Sequence, residues 1–123
     1  MEDQSPNKRK HIRMRLVSSV KYKYADLLVQ QVDEEELRVT RDAQSADISL
    51  SGIQLLTDDT VKVGAILKMD IDLPGQQVPI TTFGIVEWCR KDENVIGVYR
   101  IGVNFTVVDP DHTQLIKNFV GEK

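Results

Sequence analysis

Five residues of this chain have the types and spacing to hold one anionic ligand: Arg9, Arg13, Asp47, Ser49 and Gly52. Asp47, Ser49 and Gly52 stand at D-x-S-x-x-G in the stretch DISLSG, where a strand is expected to enter a tight turn. Residues two apart on a strand share a face, so Asp47 and Ser49 are expected to project together. Gly52 permits a positive φ or a close approach of backbone to ligand. A carboxylate beside a hydroxyl can read a guanine base. The carboxylate accepts from the ring N–H and the exocyclic amine, and the hydroxyl fits either a donor or an acceptor. Arg9 and Arg13, at R-x-x-x-R, add two guanidinium forks matched to phosphate oxygens or to the O6/N7 edge of guanine. Together they suit a ligand that is both guanine and phosphate.

The two arginines belong to a basic run, NKRKHIRMR, that also holds Lys8, Lys10 and Arg15. Residues 1–15 carry five Lys/Arg against Glu2 and Asp3, whereas the other 108 carry 11 Lys/Arg against 17 Asp/Glu. Such a body would repel a nucleic-acid backbone, so a nucleic acid polymer is not the expected partner. Lys8, Lys10 and Arg15 can add phosphate contacts, though each alone reads as a surface charge. Without DISLSG the run would read as a solvated tail, and without the run DISLSG would read as a strand ending in a turn. Their joint occurrence favours the ligand.

The rest of the chain gives catalysis no footing. No Gly-rich loop opens a helix, and there is no nucleophile elbow. His11 and His112 stand apart from any cysteine, carboxylate or second histidine at metal-ligand spacing. Neither an enzyme nor a cofactor is expected. A single cysteine, Cys89, excludes an internal disulfide and reads as a buried thiol in a reducing, cytoplasmic protein. No apolar run reaches the roughly 20 residues that cross a bilayer, and the polar N-terminus has no signal-peptide core. Trp88 reads as core, Asp70 and Asp72 as the wet face of a strand, and Glu34 to Glu36 as a solvated charge run.

The elements that must position the site follow from periodicity. Length and composition fit one domain with one core. Residues 1–8 are polar and aperiodic, a disordered tail, and residues 9–15 form an arm leading into the domain. Val20, Tyr22 and Tyr24 alternate with Lys21 and Lys23 as a half-buried strand does. ADLLVQQVDEEEL reads equally as helical turns or as a loop closed by a strand at LRVTRD. Further strands are expected in DISLSGIQLL, in ILKMDIDL before Pro74-Gly75, in TTFGIVEWCR before KDEN, and in VYRIGVNFTV. Asp109 as N-cap with Pro110 after it opens a helix over 109–120, with Leu115, Ile116, Phe119 and Val120 at helical spacing. Short strands separated by turns argue a mainly β, antiparallel barrel or sandwich with a C-terminal helix.

RKHIR, DISLSG, GIVEW and YRIGVNF, in that order and ahead of a C-terminal helix, closely resemble a PilZ domain over about residues 9 to 120. The resemblance implies a six-stranded antiparallel β-barrel with a terminal α-helix, as found in bacterial receptors for cyclic di-GMP. It implies that Arg9 and Arg13 grip guanine and phosphate from a flexible arm, and that Asp47, Ser49 and Gly52 hold a guanine on the barrel. Lys8, just before the first motif arginine, bears on whether one ligand or a stacked pair is held. The implied function is a receptor or adaptor without an attached output domain. It would signal through an unidentified downstream protein in motility, biofilm formation or virulence. The alternative is a nucleotide-independent protein adaptor of the same fold. A weaker third reading, single-stranded nucleic-acid binding, rests on Tyr22 and Tyr24 beside Lys21 and Lys23.

Overall fold

The structure, a computed structural model, describes residues 11–25 and 39–121. Seven strands appear in the order β1 (Met14–Arg15), β2 (Ser19–Tyr24), β3 (Arg41–Ile48), β4 (Gly52–Thr57), β5 (Ile66–Ile71), β6 (Ile80–Lys91) and β7 (Tyr99–Val108), followed by helix α1 (Pro110–Val120). All pairings are antiparallel: β3-β2-β5-β6-β7-β4, with β4 returning to β3, close a six-stranded barrel. Closure removes the open edges a flat sheet would leave for aggregation. The two-residue β1 lies alongside β3 as a seventh, short strand. The disordered tail expected at 1–8, and most of the ambiguous ADLLVQQVDEEEL, lie outside the described residues. The strand expected at LRVTRD begins at Arg41 and runs on to Ile48.

The alternation read from sequence places the core. Val20, Tyr22 and Tyr24 from β2, Leu67, Met69 and Ile71 from β5, and Ile101 and Val103 from β7 are buried inside the barrel. Lys21, Lys68 and Asp70 point outward from the same strands, as period two requires. Helix α1 begins where expected: the Asp109 side chain accepts from the Asp111 N–H at 2.8 Å, with Pro110 next. It ends at Gly121, whose φ of 77° and N–H to the Lys117 and Asn118 carbonyls complete a left-handed cap. Ile116 and Val120 are fully buried in the barrel's core cluster. Each such aliphatic burial is worth about 1.5–3 kcal/mol. Nδ1 of His112 also meets the Thr81 backbone, tying the helix's first turn to the start of β6.

Three β-bulges break the alternation, one of them at Thr106 of β7, and the other two decide where chemistry can occur. On β3, Ser45 pairs with Leu55 and Asp47 with Gln54, so one extra residue, Ala46, is squeezed in. On β6, Val86 pairs with Val103 and Trp88 with Gly102, so Glu87 is extra. Each bulge turns the residues after it to the opposite face. Ser45 faces inward, wholly buried, with its hydroxyl donating to the Leu16 carbonyl at 2.5 Å. Asp47, two residues later, is about a quarter exposed instead, and Ile48 takes the buried place.

Candidate functional site

The bulge at Ala46 aims Asp47 at the arm. The Arg13 guanidinium donates from Nε at 2.9 Å and from Nη2 at 2.6 Å to one oxygen of Asp47, Oδ1. Both side chains are roughly three-quarters covered, so this is a partly desolvated pair. The short β1 brings it about: Met14 lies opposite Ile48 and Arg15 opposite Asp47, which delivers Arg13 to the end of β3. Two of the five residues singled out by spacing, from segments 34 positions apart, therefore touch. Arg9, with Lys8 and Lys10, lies outside the described residues. Arg15 is exposed.

Ser49 does not share the exposure of Asp47. It is wholly buried: the chain leaves the strand at Ile48, and the Ser49 side chain closes the following turn. Its N–H donates to the Gly52 carbonyl at 2.9 Å. Its Oγ accepts from the Ser51 N–H at 3.1 Å and lies 3.0 Å from the Ser51 Oγ. Side-chain oxygens of serine favour such local bonds over the ladder. The expectation that Asp47 and Ser49 project side by side is thus corrected: Ser49 shapes the turn behind Asp47.

Gly52 has neither a positive φ nor an empty space above it. It begins β4 opposite Asn104, and a Cβ there would collide with the Val103 carbonyl oxygen of β7. Its glycine is required by strand approach. The same residue lines a cleft of about 340 Å³ on the barrel's outer face, together with Arg13, Gln54, Trp88, Arg90 and Asn104.

Trp88 is the residue that sequence reasoning misplaced. Parity from Ile80, Thr82, Gly84 and Val86 would put it inside. The Glu87 bulge sends it outward, while Cys89 packs against the core half-buried. The indole lies flat across Gly102, where any Cβ would strike the ring, and the Arg90 guanidinium sits 4.2 Å from the ring centroid on a cation–π contact. A glycine in the middle of an apolar strand, in YRIGVNF, was the available signal, since it marks close approach by another group. A second hollow, about 330 Å³, adjoins the first through Gln54, Trp88 and Arg90 and adds Lys91 and Arg100. Arg90 and Arg100 stand directly opposite each other in the ladder. Like charges so placed repel. Arg100 is steadied by the Gln54 side-chain oxygen Oε1 at 3.2 Å and the Asp92 carboxylate at 3.5 Å. The face therefore runs from Arg13, held by Asp47, past an aromatic plate to two opposed arginines, with Glu87, Asp92 and Glu93 also on its lining.

Among the described residues no group of three or more His, Cys, Asp or Glu could hold a metal ion. Among them, too, no helix is long and apolar enough to cross a membrane.

The family model for the PilZ domain matches residues 7–122, and the chain belongs to that family. A search among curated proteins finds no match. Solved structures share the fold at low identity. The inhibitor of motility MotI/DgrA of Bacillus subtilis is similar at a TM-score of 0.73 and 17% identity, over 91% of this chain and 49% of that one. The PilZ domain of YcgR from Escherichia coli with c-di-GMP is similar at 0.66 and 14%, over 93% and 89%. The MrkH–c-di-GMP complex of K. pneumoniae is similar at 0.60 and 16%, over 89% and 49%. This chain thus spans about half the length of MotI and of MrkH.

Proposed function

We propose that this chain is a receptor for cyclic di-GMP that acts through a partner protein. The observation that carries the reading is the direct contact of Arg13 with Asp47 at the edge of the cleft under Trp88. Guanine presents an acceptor edge, O6 and N7, and a donor edge, N1–H and the exocyclic amine. One base can therefore satisfy both members of that pair at once. Trp88 carries the Arg90 guanidinium on its ring, so a base stacks there as Arg90 swings off, and Arg90 with Arg100 then supplies the charge that a phosphate would neutralise. Arg9 and Lys8, from the arm, close over the ligand in this reading, with Lys10 and Arg15 as auxiliary cations. Ser49 and Gly52 act by holding the turn and strand that present Asp47. Similar folds solved with c-di-GMP bound, those of YcgR and MrkH, support the ligand class. The processes served are motility, biofilm formation or virulence, in the cytoplasm.

The test is isothermal titration with cyclic di-GMP, with cyclic di-AMP and GTP as controls. Saturable heat with cyclic di-GMP alone is expected, and its stoichiometry reports whether Lys8 permits one ligand or a stacked pair. A folded protein that takes up no cyclic di-GMP would leave the nucleotide-independent adaptor as the reading.

A further inference from the structure

The bulges at Ala46 and Glu87 line up one row of the barrel wall. Asp47 pairs with Gln54, Gln54 with Gly102, and Gly102 with Trp88, so the four stand side by side across β3, β4, β7 and β6. Directly opposed residues share a face. This row faces outward, since Ile48 and Ile53, the next opposed pair, are buried. Gly102 has no side chain, so Gln54 is the polar group between the Asp47 carboxylate and the indole lying across Gly102. It lines both hollows of the nucleotide face. Its amide is oriented: Oε1 accepts from Nη1 of Arg100 at 3.2 Å, and a guanidinium has donors only, so the NH2 group turns away from Arg100. That NH2 group has no hydrogen-bond partner among the described residues. Both bonds from Arg13 fall on Oδ1 of Asp47, and Oδ2 has no partner among the described residues.

We propose that Gln54 is a specificity-determining residue for guanine, donating from Nε2 to O6 while Asp47 accepts from the ring N–H and the exocyclic amine, and that Arg100 is its positioning residue. The inference rests on the cyclic di-GMP reading and deepens it. Opposed residues hold their Cβ atoms about 4.5–5.5 Å apart, so a donor and an acceptor stand next to each other as O6 and the ring N–H do on guanine. Adenine reverses both groups, with an amine at position 6 and a bare acceptor at the neighbouring ring nitrogen. An unconstrained glutamine would accommodate it, because rotating the amide turns Oε1 toward the amine. Arg100 opposes that rotation, which would break its bond to Oε1 and set NH2 against a guanidinium. Selectivity thus depends in part on an arginine that need not touch the base.

The test is isothermal titration of the full chain with cyclic di-GMP, cyclic di-AMP and cyclic di-IMP, whose base keeps O6 and the ring N–H but lacks the exocyclic amine. The parent should prefer cyclic di-IMP to cyclic di-AMP. Gln54→Met removes the donor and should cost cyclic di-GMP and cyclic di-IMP the same factor, about three- to tenfold, and cyclic di-AMP less. Gln54→Glu sets an acceptor against O6 and should narrow the guanine preference further. Arg100→Met should weaken all three nucleotides through its lost charge and narrow the preference as well. Arg90→Met removes the same charge from a residue that does not bond Gln54, and should weaken all three without changing the preference. Equal losses for all three nucleotides in Gln54→Met, or no loss, would overturn the proposal and leave the receptor reading standing. So would a parent that binds cyclic di-GMP but holds cyclic di-IMP no better than cyclic di-AMP, or an Arg90→Met that narrows the preference as much as Arg100→Met. A folded parent that takes up none of the three would overturn the receptor reading and this inference with it.

Discussion

Gly52→Ala separates two explanations of a motif glycine that spacing alone cannot distinguish. One holds that glycine is there so that a ligand can come close. The structure gives another: a Cβ at residue 52 would lie well inside the 3.0 Å that real Cβ atoms keep, against the Val103 carbonyl oxygen. The Val103 carbonyl carbon and the Asn104 Cα follow at 3.3 Å, so the obstacle is backbone and cannot swing aside. β4 and β7 would have to part locally by roughly an ångström. The neighbouring hydrogen bond from the Phe105 N–H to the Ser51 carbonyl, 2.8 Å long, would then stretch past the useful range. Overpacking costs about 1–3 kcal/mol and the lost bond about 1 kcal/mol, so the variant should lose about 2–4 kcal/mol. For a domain of this size that is a fall in melting temperature on the order of 10 °C. The assay is thermal and urea unfolding of parent and variant without ligand. An unchanged melting temperature together with lost cyclic di-GMP affinity would refute the reasoning and return Gly52 to the ligand.

Three further outcomes are expected. Arg13→Ala and Asp47→Ala should each cost cyclic di-GMP affinity about tenfold or more by titration, since a hydrogen bond to a charged group is worth about 1.5–3 kcal/mol. Their melting temperatures should barely move, because a partly exposed pair adds only about 1 kcal/mol or less to folding. Trp88, the chain's only tryptophan, should change its fluorescence on ligand binding. Trp88→Ala should weaken binding by about 1–3 kcal/mol while Trp88→Phe keeps most of it. Burial pushes the Tyr22 hydroxyl above its ordinary value of 10.0, while its hydrogen bond with Thr57 opposes the shift. The folded state then holds this proton more tightly than the unfolded state. Tyr22's contribution to stability is whole below pH 10 and is lost as pH rises through the raised value, so urea midpoints should fall there less steeply in Tyr22→Phe.

The barrel and its helix were legible because they rest on repetition. Val20, Tyr22 and Tyr24, or Leu67, Met69 and Ile71, state their face several times over, and Asp109-Pro110 marks a helix start with a known mechanism. The site was legible in composition and not in orientation. Parity, the facing rule a sequence offers, puts Asp47 and Ser49 on one side. The same rule, run on from Val86, would also put Trp88 in the core. Both errors have one cause. A bulge is a single inserted residue, Ala46 or Glu87, with nothing in its own chemistry to announce it, and it inverts the face of everything after it. Only Gly102, small where an indole must lie, recorded one of them in the sequence.

The bulges at Ala46 and Glu87 also explain why this barrel can carry a site at all. Had the alternation held, Asp47 would take the core place of Ile48 and Trp88 would point inward beside Val86, and the outer wall would offer only scattered charges. Each bulge brings out one residue that a regular strand would bury, and the pairings β3–β4–β7–β6 set the two on the same side of the wall. Without ligand, Asp47 spends its charge on Arg13. A competitor that brought only phosphate would offer acceptors to the arginine and leave the carboxylate facing another anion. Adenine brings an amine but no ring N–H beside it for the carboxylate. A guanine replaces both halves of the pair, so selectivity for it follows from opening the contact between Arg13 and Asp47. On that argument Asp47→Asn, which keeps the shape and removes the charge, should lower affinity for cyclic di-GMP far more than affinity for cyclic di-AMP, and so narrow the preference between them. Parallel titrations of the two nucleotides would show this, and an undiminished preference would refute the guanine-reading role of Asp47.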